Sequence, residues 1–169
     1  MKKELLKFVR YLLGTVVLAI LIVSFWIQKV DIYGVSMKPT LSEEDLLFVD
    51  KMIYRFMKPE RFDVIVFDYR YRKEQYYIKR IIGLPGETIQ ICGGQIWVDG
   101  SLLEEIYGEE PIADPKRAAL PITLEEDEYF VLGDNRNDSS DSRDSDIADI
   151  KRDQIIGKLS MKMWPMERV

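Results

Sequence analysis

Three polar clusters hold the side chains of this 169-residue chain that could do chemistry: GVSMKPTL at Gly34–Leu41, YYIKRIIGLPGE at Tyr76–Glu87 and GDNRNDSSDSRDSD at Gly133–Asp146. The first offers Ser36 as a hydroxyl nucleophile beside Gly34, although Gly, Ser and Pro are also ordinary loop residues. The second sets Lys79 in a strand-like run between Ile78 and, beyond Arg80, Ile81 and Ile82. Strand alternation sends Lys79 and Arg80 to opposite faces, so one charge meets whichever face is buried unless both escape at a sheet edge. A desolvated lysine loses affinity for its proton and becomes a base. At its ordinary pKa of about 10.4 only roughly one lysine in 2,500 is neutral at pH 7, and lowering that pKa by about three units costs on the order of 4 kcal/mol, which burial must supply. In the third cluster a serine hydroxyl beside a lysine amine could orient it toward the nucleophile, and an Asp–Arg pair would brace the loop. The alternatives there are a solvated loop or a calcium loop. The central Gly and terminal Glu of an EF-hand are missing at their spacings, which leaves only a looser carboxylate cage.

Composition narrows the chemistry. The chain has no histidine, which removes Ser-His-Asp and Cys-His catalysis, HExxH zinc sites and histidine proton relays together. A proton shuttle must then be Lys, Asp, Glu or Tyr. The single cysteine, Cys92, closes no intramolecular disulfide and builds no thiolate zinc cluster, and reads as a small packed residue. A formal net charge of -5 lacks the electrostatic footprint of a nucleic-acid binder. The length suits one domain plus an anchor.

These clusters must be positioned by the elements around them. From Tyr11 to Ile27 the sequence carries no charge and is nearly long enough, as a helix, to cross a hydrocarbon core. Lys2, Lys3, Lys7 and Arg10 outweigh Glu4 on its N-terminal side, which orients that tail to the cytoplasm and exports an acidic remainder. The expected division is a cytoplasmic tail at 1–10, an anchor at 11–28 with Phe25 and Trp26 at the far interface, and an exported domain at 29–169. A cleavable export signal and a buried core helix are the alternatives; FWIQKVDIYG lacks the paired small residues of an A-x-A site, which favours a retained anchor.

Beyond it, strands are expected at Leu46–Val49, Phe62–Phe67, Tyr76–Ile82, Thr88–Ile91, Glu128–Leu132 and Ile155–Met163. Gly93-Gly94 and Asp99-Gly100 predict two successive hairpins between Glu87 and Leu103. The Pro-, Ala- and charge-rich stretch 107–121 reads as an excursion from the sheet, and Ser42–Asp45 as a short turn. The fold class is mainly β, with short, coiled sheets.

Taken in order, the anchor, SMKPTL, RFDVIVF, YIKRIIGLPGE and GDNRNDSSDSR resemble the sequence boxes of bacterial type I signal peptidases, in their small Gram-positive form. The resemblance implies a coiled antiparallel β-sheet peptidase domain, of the type shared with the repressor peptidases, behind one transmembrane helix. It places the nucleophile on Ser36 and the general base on Lys79, puts the serine that contacts the lysine on Ser139, and makes Asp141 and Arg143 the supporting pair. One departure concerns the oxyanion hole: the residue two before the nucleophile can be a serine that donates there, whereas here it is Gly34, which could offer only a backbone group or a water.

The implied activity is removal of signal peptides from exported preproteins after A-x-A-like sites, through an acyl-enzyme and with no metal or organic cofactor. The implied partners are signal peptides and membrane lipid, without nucleic acid, for a monomer on the extracellular face of a bacterial cell membrane. Ile32, Met37, Leu41, Tyr77 and Ile78 flank the two catalytic residues, either as pocket lining or as core. Three rivals remain: a self-cleaving Ser-Lys protein related to phage and SOS repressors, against which the anchor argues; a non-catalytic tethered β-domain binding peptide or calcium; and an inactive paralogue.

Overall fold

The apolar alternation along the chain is satisfied by two antiparallel sheets behind a single long helix. A computed structural model describes the chain apart from residues 1, 31–33, 44, 46, 70–75, 109, 164–165 and 168–169, and describes the backbone alone at 21–30, 161–163 and 166–167. Helix α1 (Lys2–Trp26) leads into β1 (Ile27–Val30) and β2 (Leu47–Asp50). After α2 (Ile53–Phe56) come β3 (Val64–Asp68), β4 (Tyr76–Gly83), β5 (Thr88–Cys92), β6 (Gln95–Val98) and β7 (Ser101–Leu102). The chain ends with β8 (Ile122–Thr123), β9 (Glu128–Leu132), β10 (Ile150–Lys151), β11 (Ile155–Met163) and β12 (Met166–Glu167). The larger sheet runs β1-β2-β11-β3-β4-β9-β10 with β12 on β11, and the smaller runs β7-β6-β5-β8.

Helix α1 begins at Lys2, so the basic leader expected as a tail is helical too. Its described apolar side chains, such as Leu5, Phe8, Leu12 and Leu18, are all exposed, in contrast to those of a packed core helix. Among the described residues no helix is long and apolar enough to cross a membrane. The expected anchor continues past residue 20, where only the backbone is described.

Both predicted hairpins form, with Gly93 and Gly94 at φ 59° and 77° and Asp99 and Gly100 at 49° and 76°. Two successive positive φ angles give the primed turn that matches strand twist, which is why these pairs contain glycine. Cys92, expected to be packed, is exposed where β5 ends. Helix α2 was not expected from the sequence. Its start is held by Asp50, whose Oδ1 accepts the Met52 and Ile53 N–H groups at 2.8 and 3.0 Å. Ser42–Asp45 is a turn, with the Asp45 carboxylate accepting the Ser42 N–H at 2.7 Å. The stretch 107–121 leaves the sheet as anticipated, folds one 3-10 turn at Lys116–Ala119, and returns Ile112 and Ala118 to the core under the small sheet.

Strand β4 lies between β3 and β9 and is buried from Ile78 onward. Ile78, Ile81 and Ile82 enter three different apolar clusters. A strand covered this thoroughly has no wet face, so the two charges in its middle must both be accommodated inside.

Candidate active site

Neither of the two cations at the centre of β4 reaches solvent: Lys79 is 3 % exposed and Arg80 2 %. The expectation that only one of them would be buried is corrected, because β4 is covered on both faces. They diverge to different partners. Arg80 makes a two-pronged ion pair with Asp134, Nε to Oδ1 at 2.8 Å and Nη2 to Oδ2 at 2.7 Å, donates through Nη1 to the Phe62 carbonyl at 2.8 Å, and stacks over the Tyr107 ring at 3.6 Å. Among the described residues Lys79 has no carboxylate in contact. Its amine donates to Ser36 Oγ at 2.7 Å and to the Ile78 carbonyl at 3.0 Å, with the Tyr77 ring centroid 5.4 Å away. Burial therefore dominates and lowers the Lys79 pKa to about 8, while the charges of Asp141 and Asp134 pull weakly the other way.

Ser36 is held by its own turn and by the loop after β9. Met37 and Leu41, 2 % and 1 % exposed, pin the turn into an apolar cluster with Leu47, Val49 and Ile78. The Leu41 N–H closes the turn on the Met37 carbonyl at 2.8 Å. From the other side, the Asn135 N–H donates to the Ser36 carbonyl at 3.0 Å and its side-chain amide to the Val35 carbonyl at 3.3 Å. Thr40 Oγ1 donates to Asp134 Oδ2 at 2.5 Å, which joins the nucleophile turn to the buried Arg80 pair.

The loop that starts at Gly133 is braced by charge. Asp141 and Arg143 pair through Nε–Oδ1 at 2.8 Å and Nη2–Oδ2 at 2.9 Å, both essentially without exposure. Asp141 Oδ2 accepts the Gly133 N–H at 3.2 Å, and Arg143 Nη2 donates to the Arg136 carbonyl at 2.5 Å. Arg136 in turn donates to the Gly133 carbonyl at 3.0 Å and pairs with Glu105. A Cβ at Gly133 would lie 2.3 Å from Ser139 Oγ and 2.5 Å from the Ser36 carbonyl oxygen, so only glycine lets the loop approach the nucleophile this closely.

The structure thus brings Ser36, Lys79, Ser139, Asp141 and Arg143 into one neighbourhood, with three differences from expectation. The Ser139 hydroxyl lies beside Gly133 and Ser36 but is buried without a hydrogen-bond partner among the described residues, and the lysine amine is turned to Ser36 and the Ile78 carbonyl instead. Gly34, at φ 96°, has its N–H taken by Glu43 Oε1 at 3.0 Å, which removes it as a ready oxyanion donor. Of the expected pocket residues, Met37, Leu41 and Ile78 are core side chains because the turn and β4 need them as anchors, and Tyr77 is half-buried against Phe67 and Tyr69. Ile32 lies outside the described residues. Sequence reasoning missed Asp134, Asn135 and the Glu105–Arg136 pair. The acidic and amide residues of GDNRN were visible as a cluster, but their partners are far away in sequence. Among the described residues no group of carboxylates or cysteines is arranged to hold a metal ion.

A family model described as signal peptidase, peptidase S26, matches residues 5–164. The chain is 40 % identical over 162 residues to signal peptidase I of Leptolyngbya laminosa, covering 92 % of this chain and 77 % of that protein. It is 31 % identical over 175 residues to signal peptidase I P of Bacillus subtilis subsp. natto, covering 99 % and 94 %. Among solved structures, a signal peptidase I from Enterococcus faecalis matches with a TM-score of 0.51 at 34 % identity, over 62 % of this chain and 98 % of that one.

Proposed function

Because the chain belongs to the signal peptidase, peptidase S26, family, we propose that it is a membrane-anchored Ser/Lys endopeptidase that frees exported preproteins by cutting after A-x-A-like sites. Family membership alone makes it a serine peptidase that hydrolyses peptide bonds and removes signal peptides. The observation that carries the finer reading is the 2.7 Å contact between the Lys79 amine and Ser36 Oγ, made by a lysine that is 3 % exposed and has no carboxylate in contact among the described residues.

In this reading neutral Lys79 takes the Ser36 hydroxyl proton as Oγ bonds to the scissile carbonyl carbon. The same proton passes from Lys79 to the leaving amine as the peptide C–N bond breaks. Water, deprotonated by Lys79, then releases the signal peptide from Ser36. The chemistry uses no metal and no organic cofactor. The Ser36 N–H is left to face the oxyanion, while Asn135 fixes the Ser36 carbonyl behind it. Asp141 and Arg143 hold the loop whose Gly133 and Ser139 lie against the nucleophile turn.

The anchoring helix is α1, with its N-terminus cytoplasmic and the β-domain on the extracellular face, working as a monomer. Two observations support a site near lipid. An unbroken rung of strand partners links Ile27, the first residue after α1, through Asp50, Lys158 and Ile65 to Lys79. Four steps of about 4.8 Å keep the site within roughly 20 Å of the helix exit. At the end of α2, whose start is held by Asp50 of that rung, Phe56 and Met57 are 79 % and 55 % exposed between Arg55 and Lys58, a pairing of apolar and cationic side chains that suits a membrane surface.

The test is cleavage of a purified preprotein by the detergent-solubilised chain, its Ser36→Ala variant and its Lys79→Ala variant across pH. The wild type is expected to cut after A-x-A, located by N-terminal sequencing of the product, and each variant to lose at least about a thousandfold. Since the base is active when neutral and its pKa is about 8, the rate should rise about tenfold per pH unit below 8 and level off above it. Equal cutting by all three proteins, or a rate flat between pH 6 and 8, would sink the dyad.

A further inference from the structure

Immediately beyond the nucleophile the surface falls into a groove of about 200 Å³ lined by Lys38, Pro39, Asp134, Asn135, Asn137 and Glu110, with Arg136 beneath. It adjoins the site from two sides. Lys38 is two residues after Ser36, and Asn135 holds the Ser36 carbonyl. Most polar groups of the groove are already engaged within the protein: Asp134 by Arg80 and Thr40, Arg136 by Glu105, and Asn137 by Glu110, the Pro111 carbonyl and the Ala113 N–H. Two exposed charges remain without an ion-pair partner among the described residues, the Lys38 ammonium at the end near Ser36 and the Glu110 carboxylate, which accepts a single amide hydrogen bond from Asn137 at 3.2 Å.

The two residues that define an A-x-A cut are small and uncharged, and walls of this kind offer them little. The residues after the cut begin a polar, water-soluble chain. We infer that the groove receives the first residues of the mature protein, with Lys38 favouring an acidic side chain close to the cut and Glu110 a basic one farther along. The inference rests on the peptidase reading above and adds to it a charge order on the leaving side of the substrate. Both groups face water, so each preference is modest, about two- to fivefold, and salt weakens it.

The experiment uses the full-length chain in detergent and peptides that share one A-x-A sequence but carry Asp, Asn or Lys at each of the first four positions after the cut. Rates are referred to the Asn peptide, so that a general loss of activity in a variant cancels. The wild type should favour Asp over Lys by about two- to fivefold at one of the first two positions, and Lys38→Glu should reverse that order while Lys38→Gln removes it. Glu110→Lys should invert the preference only at the later positions. A wild type that cuts all peptides equally, or a Lys38→Glu variant with an unchanged order, overturns the groove and leaves the peptidase reading standing. A wild type that cuts none of them overturns both.

Discussion

The small sheet β5–β8 and the loop from Gly133 to Asp149 both rest on strand β9, yet they are held by opposite forces. Under the small sheet, Ile89, Ile91 and Ile96 pack on Phe130 and Leu132 of β9, each 4 % exposed or less. In the loop, Asp134, Arg136, Asp141 and Arg143 are buried to the same degree. Apolar packing is non-directional, tolerates small adjustments and contributes stability in proportion to the area it removes from water. Buried ion pairs cost desolvation that their attraction repays only in good geometry, so they add little net stability, but they fix distances and angles. The difference places stability in the sheet and geometry in the loop, which lies against Ser36 and whose carboxylates act on the charge of Lys79.

Breaking one ion pair should have the largest effect. Arg143→Met leaves the Asp141 carboxylate uncompensated at 0 % exposure and should cost about 3–5 kcal/mol, read as a shift in the denaturant midpoint, together with most of the cleavage. The double variant Asp141→Leu/Arg143→Met should recover much of that stability, since an apolar pair of similar volume replaces the ionic one. Its cleavage should stay low. If cleavage returned with stability, the charges would be mere scaffold and the contrast with the small sheet would collapse. Gly133→Ala comes next, since the added methyl must displace Ser139 Oγ or the Ser36 carbonyl. Overpacking of this kind costs about 1–3 kcal/mol, and turnover of the folded variant should also fall sharply, because one displaced atom is the nucleophile's own carbonyl oxygen and the other lies beside it. A normal turnover number in the folded fraction would refute that assignment.

How much of this was legible in the sequence follows the same division. Three strands of the small sheet, β5 to β7, could be read almost residue by residue, because their hairpins announce themselves as Gly93-Gly94 and Asp99-Gly100 and the strands alternate locally, whereas the two-residue β8 gave no such signal. The three polar clusters were also legible, but the absence of histidine only narrowed the proton shuttle to Lys, Asp, Glu or Tyr, and it was the resemblance to type I signal peptidases that singled out Ser36 and Lys79. What escaped is the wiring between clusters. Arg80 meets Asp134 across 54 residues and Arg136 meets Glu105 across 31, separations over which composition and periodicity carry no information. Alternation allowed one buried charge on β4, and it failed because that argument assumes a strand with a wet face, whereas β4 has neighbours on both edges and apolar clusters around it. Met37 and Leu41 were ambiguous for a related reason, since an apolar residue beside a nucleophile can line a pocket or anchor a turn, and only the packing distinguishes the two.

The smallest change sharpens the comparison from the apolar side. Ile91→Val removes one methylene from a side chain that is 2 % exposed in the cluster under the small sheet. The loss should be about 0.5–1.5 kcal/mol, seen as a lower denaturant midpoint with an unchanged slope. Cleavage by the folded protein should be indistinguishable from wild type, because Ile91 lies in an apolar cluster whose neighbouring side chains can relax into the space. If kcat nevertheless fell in proportion to stability, the small sheet would be transmitting its packing through Phe130 and Leu132 to Gly133. The ion pairs would then be insufficient to hold the loop, and geometry at the site would depend on both cores at once.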